Sequence, residues 1–192
     1  IAGATIRVRL ANEGEKMTTL DGVERTLTDQ DLVIADAIRA LCIAGVMGGA
    51  DSGVGDGTTS VFLESAYFHP VFVRKTAKCQ GIHSDSSFRF ERGCDPHAVR
   101  RALQRAVQLI QQEAGGEVVT NVFDVRDEFN VAHPVDFQWK RSMQLIGKEI
   151  PKETVKQILA DLDICIIGES EEGLQLEVPL YRTDVQREAD VV

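Results

Sequence analysis

Residues 95–116 read DPHAVRRALQRAVQLIQQEAGG, and this stretch decides the class of fold. Asp95 is placed to accept hydrogen bonds from the N–H groups that a helix start leaves open, and Pro96 follows where a missing N–H costs nothing. Val99, Ala102, Leu103, Ala106, Val107 and Ile110 then recur at the helical period as one apolar stripe. Gly115-Gly116 ends the helix. Arg100, Arg101 and Arg105 lie off the stripe, toward solvent.

Outward from this helix the signals are those of short strands. Thr5 to Leu10 alternates, with Ile6, Val8 and Leu10 on one side and Arg7 and Arg9 on the other. Met17 to Leu27 reads as a hairpin, its Asp21-Gly22 pair supplying the positive φ angles of a type I′ turn. Leu32–Ala35 and Leu41–Val46 read as buried strands. A loop with five glycines spans Gly48–Gly57, and Val61–Leu63 is a further strand that delivers Glu64 at its end. Downstream, Glu117–Val125 returns as a strand, and the polar stretch Asp127–Pro134 marks a domain boundary. Beyond it come a strand around Val135–Trp139, a short helical segment ending near Gly147, and a helix from about Pro151 that carries Val155, Ile158, Leu159 and Leu162. A strand over Ile164–Ile167, a turn over Glu169–Gly173, a strand over Leu174–Val178 and a helix begun near Asp184 complete the pattern. The expected fold is α+β, followed by a small wing-like α/β unit.

The chain has 192 residues, 43% of them hydrophobic, with a net charge of −9. That is room for one domain, or one and a small second. No apolar run approaches the roughly 20 residues of a membrane span, and no signal-peptide pattern opens the chain. It starts on Ile1 and not on methionine, which points to a piece of something longer. Cys42, Cys79, Cys94 and Cys165 form no CxxC pair, so they read as reduced thiols in a cytoplasmic protein. A charge of −9 speaks against a simple basic nucleic-acid binder. The charge is uneven, however. Arg74 to Arg105 holds eight Lys/Arg against three acids, a local +5 that leaves −14 elsewhere. Arg74, Lys75, Lys78, Arg100, Arg101 and Arg105 are therefore candidates for an RNA- or phosphate-facing surface. The alternative is a set of locally paired or simply solvated charges.

Three stretches can carry chemistry. In Gly45–Gly53, GVMGGADSG, paired glycines let backbone N–H groups approach an anion or a carbonyl oxygen. The loop has no lysine, which excludes a Walker phosphate loop, and a tight strand-to-loop turn explains it equally well. Glu64, after an apolar strand, suits either a ligand hydroxyl or base chemistry, or else accepts from nearby backbone. His83-Ser84-Asp85 are contiguous, whereas a catalytic triad is assembled in space, so His83 reads as a surface residue.

Taken together, IAGVMGGADSGV (43–54), VFLESAYFHPVFVRKTAKCQGIHSDSSFRFERGCDP (61–96) and VPLYRTDVQREADVV (178–192) resemble the beta subunits of bacterial phenylalanyl-tRNA synthetases, in order and with matching spacing. The resemblance implies a mixed-sheet editing domain with packed helices over 1–128, truncated at its start. A winged-helix-like module over 132–192, truncated at its end, would follow. It implies a heterotetramer with an alpha subunit that holds the ligase site and uses ATP and Mg²⁺ to join phenylalanine to tRNA(Phe). The editing domain would hydrolyse tyrosine wrongly attached to that tRNA. Tyrosine differs from phenylalanine by one hydroxyl, and a site that hydrogen-bonds the hydroxyl rejects the ligand lacking it. By the same resemblance Glu64 reads the hydroxyl and Gly48 lines the pocket. Ser84 and Ser86 stand where the family usually has Thr and Ala. N–H groups at Gly48 and Gly49 would stabilise the oxyanion while a positioned water attacks, with no covalent nucleophile. Asp184 and Asp190 match two positions of a Mg²⁺ site shared with the alpha subunit; no metal or other cofactor is expected on this stretch alone. The competing expectation is a non-catalytic module that binds tRNA and scaffolds the subunits after losing editing.

Overall fold

A computed structural model describes residues 1–119, 122–126 and 134–192, and the chain divides into two bodies, Ile1–Leu109 and Ile110–Val192. In the first body β1 (Arg7–Leu10) is followed by β2 (Lys16–Thr18) and β3 (Glu24–Thr26), then by β4 (Leu32–Ala35), β5 (Ala40–Ile43) and β6 (Met47–Gly48). β2 and β3 pair with each other, and the remaining strands form a sheet in the order β1-β4-β5-β6. Where a mixed sheet is expected, every strand pairing among the described residues is antiparallel. The β1 alternation is real, but its apolar side faces out, with Val8 60% and Leu10 47% exposed. Arg9 of the same strand makes a bidentate pair with Glu15, both bonds at 2.8 Å.

Two turns depart from expectation for reasons of backbone geometry. At the β2–β3 tip only Gly22 takes positive φ, whereas a type I′ turn needs it at both central residues. Gly22 N–H donates to the Thr19 carbonyl at 2.8 Å and Thr19 N–H to the Val23 carbonyl at 3.1 Å, which gives the longer loop Leu20–Gly22. The apolar run Leu41–Val46 is not one strand. Gly45 turns left-handed at φ 68°, Val46 N–H closes on the Ile43 carbonyl at 3.0 Å, and the chain folds back as β6. A Cβ on Gly45 would meet Phe68 Cδ2 at 2.9 Å, so glycine is required both by conformation and by close approach.

The expected strand at Val61–Leu63 is irregular chain. Two helices that the sequence reading passes over follow it: α1 (Pro70–Gln80), which buries Val73, Thr76 and Ala77, and α2 (Asp85–Phe90). α3 (Ala98–Glu113) starts later than Pro96 because a turn precedes it, with Asp95 Oδ1 accepting the His97 N–H at 2.8 Å. No residue of α3 is buried; its stripe is half-buried at Val99, Leu103, Ala106 and Val107 and open at Ile110. The core of this body is Leu27, Val33, Ile43, Val46 and Val73. Of the strand expected over Glu117–Val125, the described residues form none. Of the expected boundary Asp127–Pro134, residues 127–133 lie outside the described residues and Pro134 begins a strand.

The second body holds β7 (Pro134–Gln138), α4 (Trp139–Ile146), α5 (Lys152–Asp161), β8 (Cys165–Glu169), β9 (Gly173–Glu177) and α6 (Glu188–Val191). Its antiparallel sheet runs β7-β9-β8, and the β8–β9 hairpin supplies the wing-like part. Phe137, Leu159, Ile164, Leu174 and Leu176 form its core, and Phe137 meets Trp139 edge-on at 5.4 Å. α6 begins at Glu188 and not near Asp184. Glu188 Oε1 accepts the Gln138 N–H at 2.8 Å and the Ser142 hydroxyl at 3.2 Å, while Oε2 meets Arg141 at 3.2 Å.

Two outcomes follow for stability. Gly45→Ala should cost about 1–2 kcal/mol for the left-handed backbone, and more for moving Phe68, read as a lower urea midpoint. The second concerns acid. The Arg9 guanidinium holds the Glu15 carboxyl at about 2, against 4.5 for an unperturbed glutamate. A lowered native pKa means the unfolded chain binds more protons, so this contribution is full above pH 4.5 and lost as pH falls toward 2. Glu15→Gln should therefore lower the urea midpoint at pH 7 and flatten its decline across that window.

Candidate functional site

Antiparallel register builds the floor of the main cavity. Gly49 N–H donates to the Leu41 carbonyl at 2.8 Å, and Cys42 lies opposite Gly48. The Cys42–Gly48 pair is therefore the non-hydrogen-bonded kind, with side chains on one face and the Gly48 N–H turned away from β5. That face floors a cavity of about 930 Å³. Its walls are Glu64–Ala66, Phe68, the start of α2 with Ser84 and Ser86, Phe90, and the α3 positions Ala98, Val99 and Ala102. Phe68 and Phe90 stack edge-on at 5.1 Å. The Ser65 hydroxyl donates to the Val99 carbonyl at 2.8 Å and so ties the irregular segment bearing Glu64 to α3. Gly48, Glu64, Ser84 and Ser86, scattered in sequence, thus share one cavity, and Gly49 does not join them. The expected oxyanion role does not suit Gly49, whose N–H is already committed to Leu41.

The polar groups of this cavity differ in what they have free. Glu64 has no hydrogen bond or ion pair among the described residues. Its residue surface is open at the mouth, while the walls around its carboxyl raise it above the usual carboxylate range by desolvation. Burial, and then the Glu64 charge, push the Cys42 thiol up to about 11, so it stays protonated near neutral pH. The Ser84 hydroxyl donates to the Val46 carbonyl at 2.6 Å and accepts the Ser87 N–H at 3.0 Å. It starts α2 in a capping box with Ser87 and is not a spare donor. Ser86 is half-buried, with no hydrogen-bond partner among the described residues. His83 is exposed and off the cavity wall, as a surface residue would be.

Cys42, Phe68 and Phe90 were not singled out by sequence reasoning; the signal lay in Gly45, whose left-handed turn folds β6 back over the two rings. The hairpin tip Leu20-Asp21, which also reaches the cavity, had none. The basic candidates Arg74, Lys75, Lys78, Arg100, Arg101 and Arg105 lie exposed on α1 and α3. None has a carboxylate partner among the described residues; Arg74 donates to the Glu91 carbonyl at 2.9 Å and Arg105 to Gln108 at 2.8 Å. In the second body Asp184 is bound bidentately by Arg182, both bonds at 3.0 Å, and Asp190 accepts from Arg187 and from the Gln186 N–H. Among the described residues no group of three His, Cys, Asp or Glu assembles, and both carboxylates are engaged by arginine. No helix among the described residues is long and apolar enough to cross a membrane.

The B3/4 domain family matches residues 1–115 and the tRNA synthetase B5 domain matches residues 135–192. The chain is 47% identical over 192 residues to the phenylalanine–tRNA ligase beta subunit of Bacteroides fragilis. Identity is 45% over 193 residues to that of Porphyromonas gingivalis and 41% over 192 to that of Geobacter sulfurreducens. Each alignment takes in 100% of this chain and 23% or 24% of the relative, so the chain spans about a quarter of the length of the curated relatives it matches. The chain therefore belongs to the B3/4 domain family, continues into a tRNA synthetase B5 domain, and is similar throughout to the beta subunits of bacterial phenylalanine–tRNA ligases.

Proposed function

We propose that the cavity is the editing site of a phenylalanine–tRNA ligase, where tyrosine wrongly esterified to tRNA(Phe) is hydrolysed. The observation that carries this reading is Glu64, a carboxyl with no partner among the described residues, set in the wall of a cavity flanked by Phe68 and Phe90. The rings suit an aromatic side chain, and the carboxylate accepts the phenolic O–H; phenylalanine in the same place leaves that acceptor unpaired. The nearby nucleophiles are poorly suited to attack. Cys42 stays a thiol, the Ser84 hydroxyl donates its hydrogen bond to the Val46 carbonyl, the Ser86 hydroxyl has no base bonded to it among the described residues, and His83 lies outside. Water is then the nucleophile: it adds to the ester carbonyl, the acyl–oxygen bond breaks, and free tyrosine and the tRNA hydroxyl leave. The Gly48 N–H, turned out of the β5 pairing, is a donor for the oxyanion. In this proposal residues 1–128 act as the editing region and 132–192 as the following module. Aminoacylation with ATP and Mg²⁺ belongs to an alpha subunit of the heterotetramer. The uncompensated cations of α1 and α3 face tRNA. Those cations favour equally a second reading, a tRNA-binding scaffold without hydrolysis, and deacylation separates the two.

In the complete enzyme, Glu64→Ala should reduce the preference for hydrolysing tyrosyl- over phenylalanyl-tRNA by about tenfold or more, measured by deacylation of each charged tRNA; an unchanged preference sinks the role of Glu64. Arg100→Ala with Arg101→Ala should weaken tRNA binding and reduce the slope of log affinity against log salt by about one to two, measured by filter binding across a salt series.

A further inference from the structure

The tip of the β2–β3 hairpin stands at the cavity rim. Leu20 is 64% exposed, yet its N–H donates to the Gly48 carbonyl at 2.9 Å, and its Cδ1 lies 3.0 Å from where a Cβ on Gly48 would be. An aromatic ring that comes to rest over Gly48 therefore also covers the apolar surface of Leu20.

The tip is fixed more firmly than its own strands account for, since a short two-stranded ribbon is marginal alone. Arg25 Nε donates to Thr19 Oγ1 at 2.9 Å, Nη2 to Asp21 Oδ2 at 2.6 Å, and Nη1 to the Gln80 carbonyl at 2.7 Å. Thr19, 0% exposed, donates its hydroxyl hydrogen bond to Asp21 Oδ1 at 2.5 Å. Gln80 in turn donates to Asp31 at 2.9 Å, and Asp31 also accepts the Thr28 N–H at 2.9 Å. The planar guanidinium thus joins the tip to the end of α1, a geometry that three fixed nitrogens allow and a lysine does not.

We infer that Leu20 is a substrate-binding residue of this cavity, packing on the ring of the bound aminoacyl group, and that Arg25 is the positioning residue that holds it there. The inference rests on reading the cavity as the site of an aminoacyl ester.

The test is steady-state deacylation of tyrosyl-tRNA by the complete enzyme carrying Leu20→Ala, Leu20→Met, Arg25→Met, and Leu20→Ala with Arg25→Met. Leu20→Ala should raise KM roughly tenfold with kcat little changed, and Leu20→Met should recover most of that loss. Arg25→Met should raise KM in the same direction, and the double variant should be no worse than the poorer single, because both changes remove one contact. A KM untouched by Leu20→Ala, or two losses that multiply, overturns the inference while the wild type still deacylates. A wild type that does not deacylate removes the underlying reading and the inference together.

Discussion

The Ser84 hydroxyl donates to the Val46 carbonyl at 2.6 Å and accepts the Ser87 N–H at 3.0 Å. One oxygen thereby begins α2 and fastens it to the turn between β5 and β6. That turn exists because Gly45 takes a left-handed backbone and leaves room for Phe68 and Val73 against its Cα. Everything that faces the cavity hangs from this junction: Gly48 on the floor because β6 folds back, and Ser86 on the wall because α2 starts where it does. The hydroxyl is therefore spent on architecture, and threonine would carry out the same bonding. The polar side chains of the cavity that the architecture does not consume are Glu64 and Ser86.

Much of the fold was legible in residue pattern. β4, the β2–β3 hairpin, the helix after Pro96 and the order of elements in the second body follow from period and from turn residues. The errors came where local signals compete. Leu41–Val46 is apolar throughout, so nothing but Gly45 announces that it reverses. Val61-Phe62 is β-prone in composition but lies about half exposed, at 52% and 53%, and pairs with no strand among the described residues. α1 and α2 are marked in sequence, by Pro70 before Gly81 and by Ser84 three residues before Ser87.

The site was legible in membership and less so in role. Glu64, Gly48, Ser84 and Ser86 do share a cavity. Sequence order alone does not say which of two adjacent glycines spends its N–H inside a ladder; strand register decides that, and it takes Gly49. Nor does sequence tell a free carboxylate from one held by arginine, which separates Glu64 from Asp184 and Asp190. The hairpin tip was invisible because Leu20 reaches Gly48 only once tertiary packing brings the ribbon alongside β6.

Glu188 has a consequence for the order in which the second body is made. Its carboxylate accepts from Gln138, 50 residues earlier, and from Ser142, 46 residues earlier. β7 likewise finds its ladder partner only in β9. Long-range closures are costly before any contact offsets them, and chains are synthesised from the N-terminus. During translation β7 and α4 therefore leave the ribosome with neither their ladder nor their acidic clasp. The ladder partner of β7 is complete at Glu177, and the clasp on β7 and α4 becomes available only afterwards, with Glu188.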